Sequence, residues 1–173
     1  MPRGATATEG DPKPRSRPHG RTPAERAAHV ARAELASGKL DLRGVNVLIV
    51  EDDPDSRDMV QQVVESFGAS VAVAADGRGA LRIAAWMRPD LILCDLRMPM
   101  IDGYAFIDRL RHDPHLSRTA VLAVTALGSD ADIRRTWEAG FDGHLVKPID
   151  YETIAAQLER IFWANRRRHD PPK

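Results

Sequence analysis

Cysteine is nearly absent from this 173-residue sequence: Cys94 stands alone, so no internal disulfide can form and a multi-cysteine zinc site has no ligands. Cys94 lies inside an apolar run and reads as a small core residue rather than a nucleophile. Long apolar runs are missing as well. None approaches the ~20 residues that span a bilayer, and Met1-Pro2-Arg3-Gly4 lacks the apolar stretch of a secretory leader. A soluble, cytoplasmic protein with no membrane partner is the expectation. The sequence contains no P-loop, no glycine-rich dinucleotide turn and no serine-nucleophile motif. Net charge is absent too, since 25 basic and 25 acidic residues cancel. They cancel unevenly: residues 1–43 carry nine positive and five negative charges, and the remainder sixteen and twenty. Such a basic arm suits either nucleic-acid contact or a solvated tail, of which the tail is the simpler reading.

What is present divides the chain. Residues 2–21 are rich in Pro, Gly, Arg and Thr without apolar periodicity, so disorder is expected there. Thr22-Pro23-Ala24-Glu25 then has the form of a capped helix start. A short alanine-rich helix over 23–37 is expected, with Ala27, Val30, Ala31 and Leu35 as a thin apolar side that is marginal alone. The whole stretch 1–43 is read as an extension, 44–165 as one domain and 166–173 as a basic tail.

Within the domain, apolar runs of strand length alternate with helical periodicity. Strands are expected at 45–50, 70–75, 91–95, 120–125 and 143–146. Helices are expected at 54–67, 79–87, 104–111 and 130–139, with a last one marked by Tyr151, Ile154, Ala155, Leu158, Ile161 and Phe162. Five strands alternating with five helices imply an α/β fold, a doubly wound parallel sheet with helices on both faces. Right-handed crossovers and the size favour the flavodoxin-like (βα)5 order 2-1-3-4-5.

In such a sheet, ligands bind at the carboxyl ends of the strands. Here those ends read Glu51-Asp52-Asp53 on the first strand, Asp95 on the third, Thr125 on the fourth and Lys147 on the fifth. Carboxylates so gathered repel one another unless a cation sits among them, and hard oxygen donors on few side chains suit Mg²⁺. One lysine and one hydroxyl beside them suggest phosphoryl transfer to a carboxylate nucleophile.

The segments Val50-Glu51-Asp52-Asp53, Leu91 through Met100, Asp102-Gly103, Val124-Thr125-Ala126 and Val146-Lys147-Pro148 together resemble the response-regulator receiver signature. The likeness covers about 120 residues, with each expected segment in order. It implies that Asp95 is the phosphoacceptor and that Asp52 binds Mg²⁺ directly. It also implies that Glu51 acts on the metal through water and that the Arg97 backbone carbonyl completes the protein ligands. Thr125 becomes the switch hydroxyl, Lys147 the phosphate-contacting cation, and Pro148 the residue after a cis peptide bond. Asp53 receives no metal role. His144 occupies a switch position where the family usually has Tyr or Phe, so the switch is expected to persist with weaker apolar burial.

The implied function is that of a phosphoprotein, a stand-alone receiver in a two-component system or phosphorelay. It would not be an enzyme in its own right, although it promotes its own phosphorylation and dephosphorylation. Its phosphoryl donor would be a sensor histidine kinase or a histidine phosphotransfer protein. Its output would be a protein contact through the fourth helix, fifth strand and last helix, where Trp137 belongs either to that surface or to the core. Two rival readings are a nucleic-acid accessory protein using the basic arm and Arg166-Arg167-Arg168, and a pseudo-receiver that is never phosphorylated. Specific DNA binding lacks a recognition helix or interleaved aromatics, and the intact acidic set argues against the pseudo-receiver.

Overall fold

The computed structural model describes residues 40–126 and 128–167, with side chains as far as Ile161. The expected disorder over 2–21, the helix over 23–37 and most of the 166–173 tail lie outside the described residues. Five strands, β1 (Asn46–Val50), β2 (Ser70–Ala74), β3 (Leu91–Asp95), β4 (Ala120–Thr125) and β5 (Gly143–Val146), alternate with five helices. These are α1 (Pro54–Ser66), α2 (Gly77–Met87), α3 (Gly103–His112), α4 (Asp130–Glu138) and α5 (Tyr151–Arg167). The strands form one parallel sheet in the order β2-β1-β3-β4-β5, as the sequence reading expects.

Both faces of the sheet are covered, which is why its central strands are apolar between their terminal residues. Val47, Ile49, Leu91, Leu93, Leu122, Val124 and Leu145 point into one core with Val60, Val64, Ile154 and Leu158 of α1 and α5. The alternate residues Leu48, Val50, Ile92, Cys94, Val121 and Ala123 form the other core with Ala80, Ala84, Phe106, Ile107 and Leu110 of α2 and α3. Cys94 is fully buried, and that burial pushes its thiol well above the usual range. It is a packing residue.

Each of the five described helices starts from a side-chain cap at the same edge of the sheet. Asp53, Asp76, Asp102, Ser129 and Asp150 accept the backbone N–H three residues on, from Ser56, Gly79, Ala105, Asp132 and Thr153. This explains two boundaries the apolar pattern misplaced. α2 begins at Gly77, capped by Asp76, rather than at residue 79, and α3 begins at Gly103 rather than at Tyr104. At the far end α5 continues through Arg166 and Arg167, which were assigned to the tail.

The opposite edge is tied by Arg111. Its guanidinium donates to the carbonyls of Ser117, Thr119 and Gly140 and to Asp142 Oδ2, at 2.8–3.0 Å. Asp142 Oδ2 also accepts the Val121 N–H at 2.9 Å. One side chain thereby joins the loop after α3, the start of β4 and the turn between α4 and β5. Gly140, with φ +99, makes that turn in a conformation few other residues adopt.

The domain begins earlier than residue 44. Leu42 is fully buried in the α1/α5 core, and its N–H donates to the Phe67 carbonyl at 2.7 Å. A single leucine between charged neighbours has no periodicity to announce it, so composition alone assigned it to the extension. Leu42→Ala should cost about 2–5 kcal/mol of stability, the usual range for a buried leucine. Urea denaturation of the variant, with its slope unchanged, checks this.

Candidate functional site

Strand register builds the site. Val50 pairs with Cys94, Asp95 with Val124, and Thr125 with Val146. Glu51, Asp95, Thr125 and Lys147 therefore stand in a row across adjacent strand ends, with Asp52 one residue beyond Glu51. Carboxylate oxygens of Glu51, Asp52 and Asp95 lie within 4.8 Å of one another. Glu51 and Asp95 are buried while Asp52 is exposed, so the cluster opens to solvent on the Asp52 side.

Lys147 is the cation that holds this arrangement. Its Nζ donates to Glu51 Oε2 at 2.7 Å and to Asp95 Oδ2 at 3.0 Å. Burial by itself disfavours its charge, but the hydrogen bonds to the two carboxylates outweigh that and raise its pKa. The Lys147–Pro148 peptide bond is cis, and the Lys147 N–H donates to the Thr125 carbonyl at 2.8 Å. Thr125 is itself buried.

The remaining Asp95 oxygen, Oδ1, accepts the Arg97 N–H at 3.0 Å. Gly103 is needed where the chain returns past this loop. A Cβ there would come within 2.6 Å of the Asp95 carbonyl oxygen and 2.8 Å of the Leu96 Cα, and backbone cannot move aside cheaply. Asp53, given no metal role from the sequence, is the α1 cap described above. His144 is half-buried on β5, and its Nδ1 meets no hydrogen-bond partner among the described residues. Burial, with a smaller contribution from Arg160, lowers its pKa and disfavours the charged ring. Trp137 is 44% exposed, which places it on the surface rather than in the core.

Sequence reasoning missed Arg57. From the first turn of α1 its guanidinium donates to the Glu51 carbonyl at 2.9 Å and the Asp52 carbonyl at 3.4 Å. It fixes the backbone that carries two of the three acids. The only signal was a cation six residues after Glu51, which nothing distinguishes from a solvated arginine.

Hard oxygen donors from three carboxylates, partly open to water, fit a small divalent cation. Counting Lys147 against the three acids leaves two negative charges, which one such ion would neutralise. Without it, burial is the main cause that raises the Glu51 pKa, with the Asp95 charge adding to it and Lys147 opposing. Folded Glu51 thus holds its proton to higher pH than in the unfolded chain. Its contribution favours the fold below the ordinary glutamate range and is lost as pH rises through the folded value. A ¹³C carboxyl titration of the metal-free protein should show Glu51 titrating above the exposed glutamates. An ordinary midpoint would mean that the cluster is better solvated than its burial implies.

Comparison with known proteins agrees with this fold. Residues 47–159 match the family model described as the response regulator receiver domain. The DNA-binding dual master transcriptional regulator RpaA of Synechocystis is 36% identical over 116 residues, 67% of this chain and 48% of that protein. An uncharacterized 14.6 kDa protein of Leptolyngbya boryana is 35% identical over 63% of this chain and 83% of its own length. The chain thus spans about half the length of the first relative and most of the second. Among solved structures, chemotaxis protein CheY4 of Vibrio cholerae aligns with a TM-score of 0.65 and 34% identity, over 68% of this chain and 98% of that one. The receiver domain of sensor histidine kinase PA1611 of Pseudomonas aeruginosa, with a magnesium ion coordinated in its active-site cleft, aligns at 0.64 and 32%, over 69% and 98%. No described helix is long and apolar enough to cross a membrane. The chain belongs to the response regulator receiver domain family.

Proposed function

We propose that this receiver accepts a phosphoryl group on Asp95 from a phosphohistidine of a sensor kinase or phosphotransfer protein, and signals through protein contact. The observation that carries the reading is the buried Asp95 carboxylate held between Lys147 Nζ and the Arg97 N–H, within reach of two further acids. A carboxylate oxygen of Asp95 forms the new bond to phosphorus while the bond from phosphorus to the donor imidazole breaks, and the leaving nitrogen takes up a proton. Lys147 is placed to offset charge on the incoming phosphoryl oxygens, and Arg57 keeps the acidic turn in position.

Glu51, Asp52 and Asp95, with the Arg97 carbonyl implied by family likeness, would hold Mg²⁺, which would supply electrophilic stabilisation of those same oxygens. The magnesium seen in the PA1611 receiver supports this choice of ion. The protein is on this reading a phosphoacceptor rather than an enzyme acting on separate substrates. Asp95→Asn should abolish acid-labile phosphate incorporation from a small-molecule phosphodonor with Mg²⁺, because an amide is not a competent nucleophile here. Stoichiometric labelling of that variant would move the acceptor elsewhere. Failure to label the unaltered protein at all would favour the pseudo-receiver.

Output is proposed to run through Thr125 and His144 to the face made by α4, β5 and α5. Phosphate oxygens at the end of β4 give the Thr125 hydroxyl a new acceptor, and inward movement of its loop would open space for the His144 ring. Among the described residues the half-buried ring leaves Nδ1 without a partner, so none of them holds its packing by a hydrogen bond to that atom. α4 is the helix with least hold on the core, since Thr136 alone of its residues is buried. Phosphate then needs to favour one of two packings by only a few kcal/mol. Thr125→Ala should keep phosphorylation while weakening the shift of α4 and β5 amide resonances on adding a phosphate mimic. Equal shifts in both proteins would show that Thr125 does not carry the signal.

A further inference from the structure

α2 contributes nothing to the acidic site, yet its outer face is an unusual surface. Trp86 stands 82% exposed. Arg78 and Arg82 precede it at intervals of four, so the three side chains lie along one stripe of the helix, all exposed to solvent. Arg88, exposed at the helix C-cap, adds a third guanidinium beyond the tryptophan. α2 contains no acidic residue. Among the described residues, none of the ion pairs involves Arg78, Arg82 or Arg88. Three guanidiniums outside the ion pairs of the described residues, spread over roughly 15 Å of helix, flank a large apolar ring that water covers.

We propose that this face of α2 binds an acidic polypeptide segment carrying an apolar side chain, with Trp86 as the anchor and Arg78 and Arg82 selecting its charge. Tryptophan and arginine are the residues whose truncation most often costs binding at protein interfaces. The charge balance argues against nucleic acid. Beyond residue 43 the chain carries sixteen positive and twenty negative charges, so a long polyanion gains no net attraction from the domain as a whole. A single exposed ring also gives successive bases no stacking platform. The chain's own first 43 residues are a poor occupant, because with nine positive and five negative charges they share the sign of the stripe. The stripe uses none of Glu51, Asp52, Asp95 or Lys147.

The test titrates the full-length ¹⁵N-labelled protein with a synthetic helical peptide in which glutamates alternate with one leucine per turn. A peptide with lysine for every glutamate and a mixed-sequence single-stranded oligonucleotide serve as the other arms. Trp86→Phe assigns the indole resonance among the three tryptophans. The glutamate peptide should move the Trp86 indole N–H and the amides of 78–88, and the lysine peptide should not. Trp86→Ala should weaken binding by at least about tenfold, and Arg82→Glu should remove it, with the melting transition of both variants unchanged. The proposal is overturned by equal responses to the two peptides, or by shifts confined to other helices. Tighter binding of the oligonucleotide at α2 would overturn it in favour of nucleic acid. Self-association that is lost in Trp86→Ala would overturn it in favour of a second copy of this chain.

Discussion

Three carboxylates held within 4.8 Å of one another, against a single lysine, are the arrangement on which the rest of this domain turns. Such a cluster costs free energy in a metal-free protein, because like charges approach in surroundings that screen them less than water does. The fold must therefore supply the geometry from elsewhere. It does so with a sheet buried on both faces, whose strands end in register so that one residue each from β1, β3 and β5 arrives at the same edge. Lys147 bridges two of the acids, Arg57 fixes the turn carrying Glu51 and Asp52, and Gly103 lets the chain pass close behind Asp95.

Much of this was legible in the sequence because each signal was local and repeated. Strands buried on both faces appear as unbroken apolar runs, and helices between them keep their period, so order and topology follow with few alternatives. The site was legible for the same reason. Glu51, Asp95 and Lys147 are the first polar residues after such runs, and a parallel sheet sends all such positions to one edge.

What escaped depended on partners distant along the chain. Leu42 carries no pattern of its own and is a core residue only because Phe67 and the α1/α5 core come back to meet it. The guanidinium of Arg57 looks like any exposed cation until the backbone carbonyls it serves are known. The caps Asp76 and Asp102 were not read from the sequence, since an apolar pattern cannot show where a side chain replaces a backbone hydrogen bond. Conversely, Tyr151 was counted on the inner stripe of α5 but is half-exposed, its ring tilted at 41° against Phe67 at a centroid distance of 4.7 Å.

The Arg111 knot has a mechanical consequence for the far side of the sheet. Its hydrogen bonds to Gly140 and Asp142 clamp the chain just past the C-terminus of α4, while the N-terminus of that helix is capped by the Ser129 hydroxyl. A rod pinned at one end does not slide; it swings. Any displacement of α4 is therefore smallest beside Gly140 and largest beside Asp130, at the end nearest Thr125. The guanidinium works as a fulcrum, and the length of α4 sets the leverage.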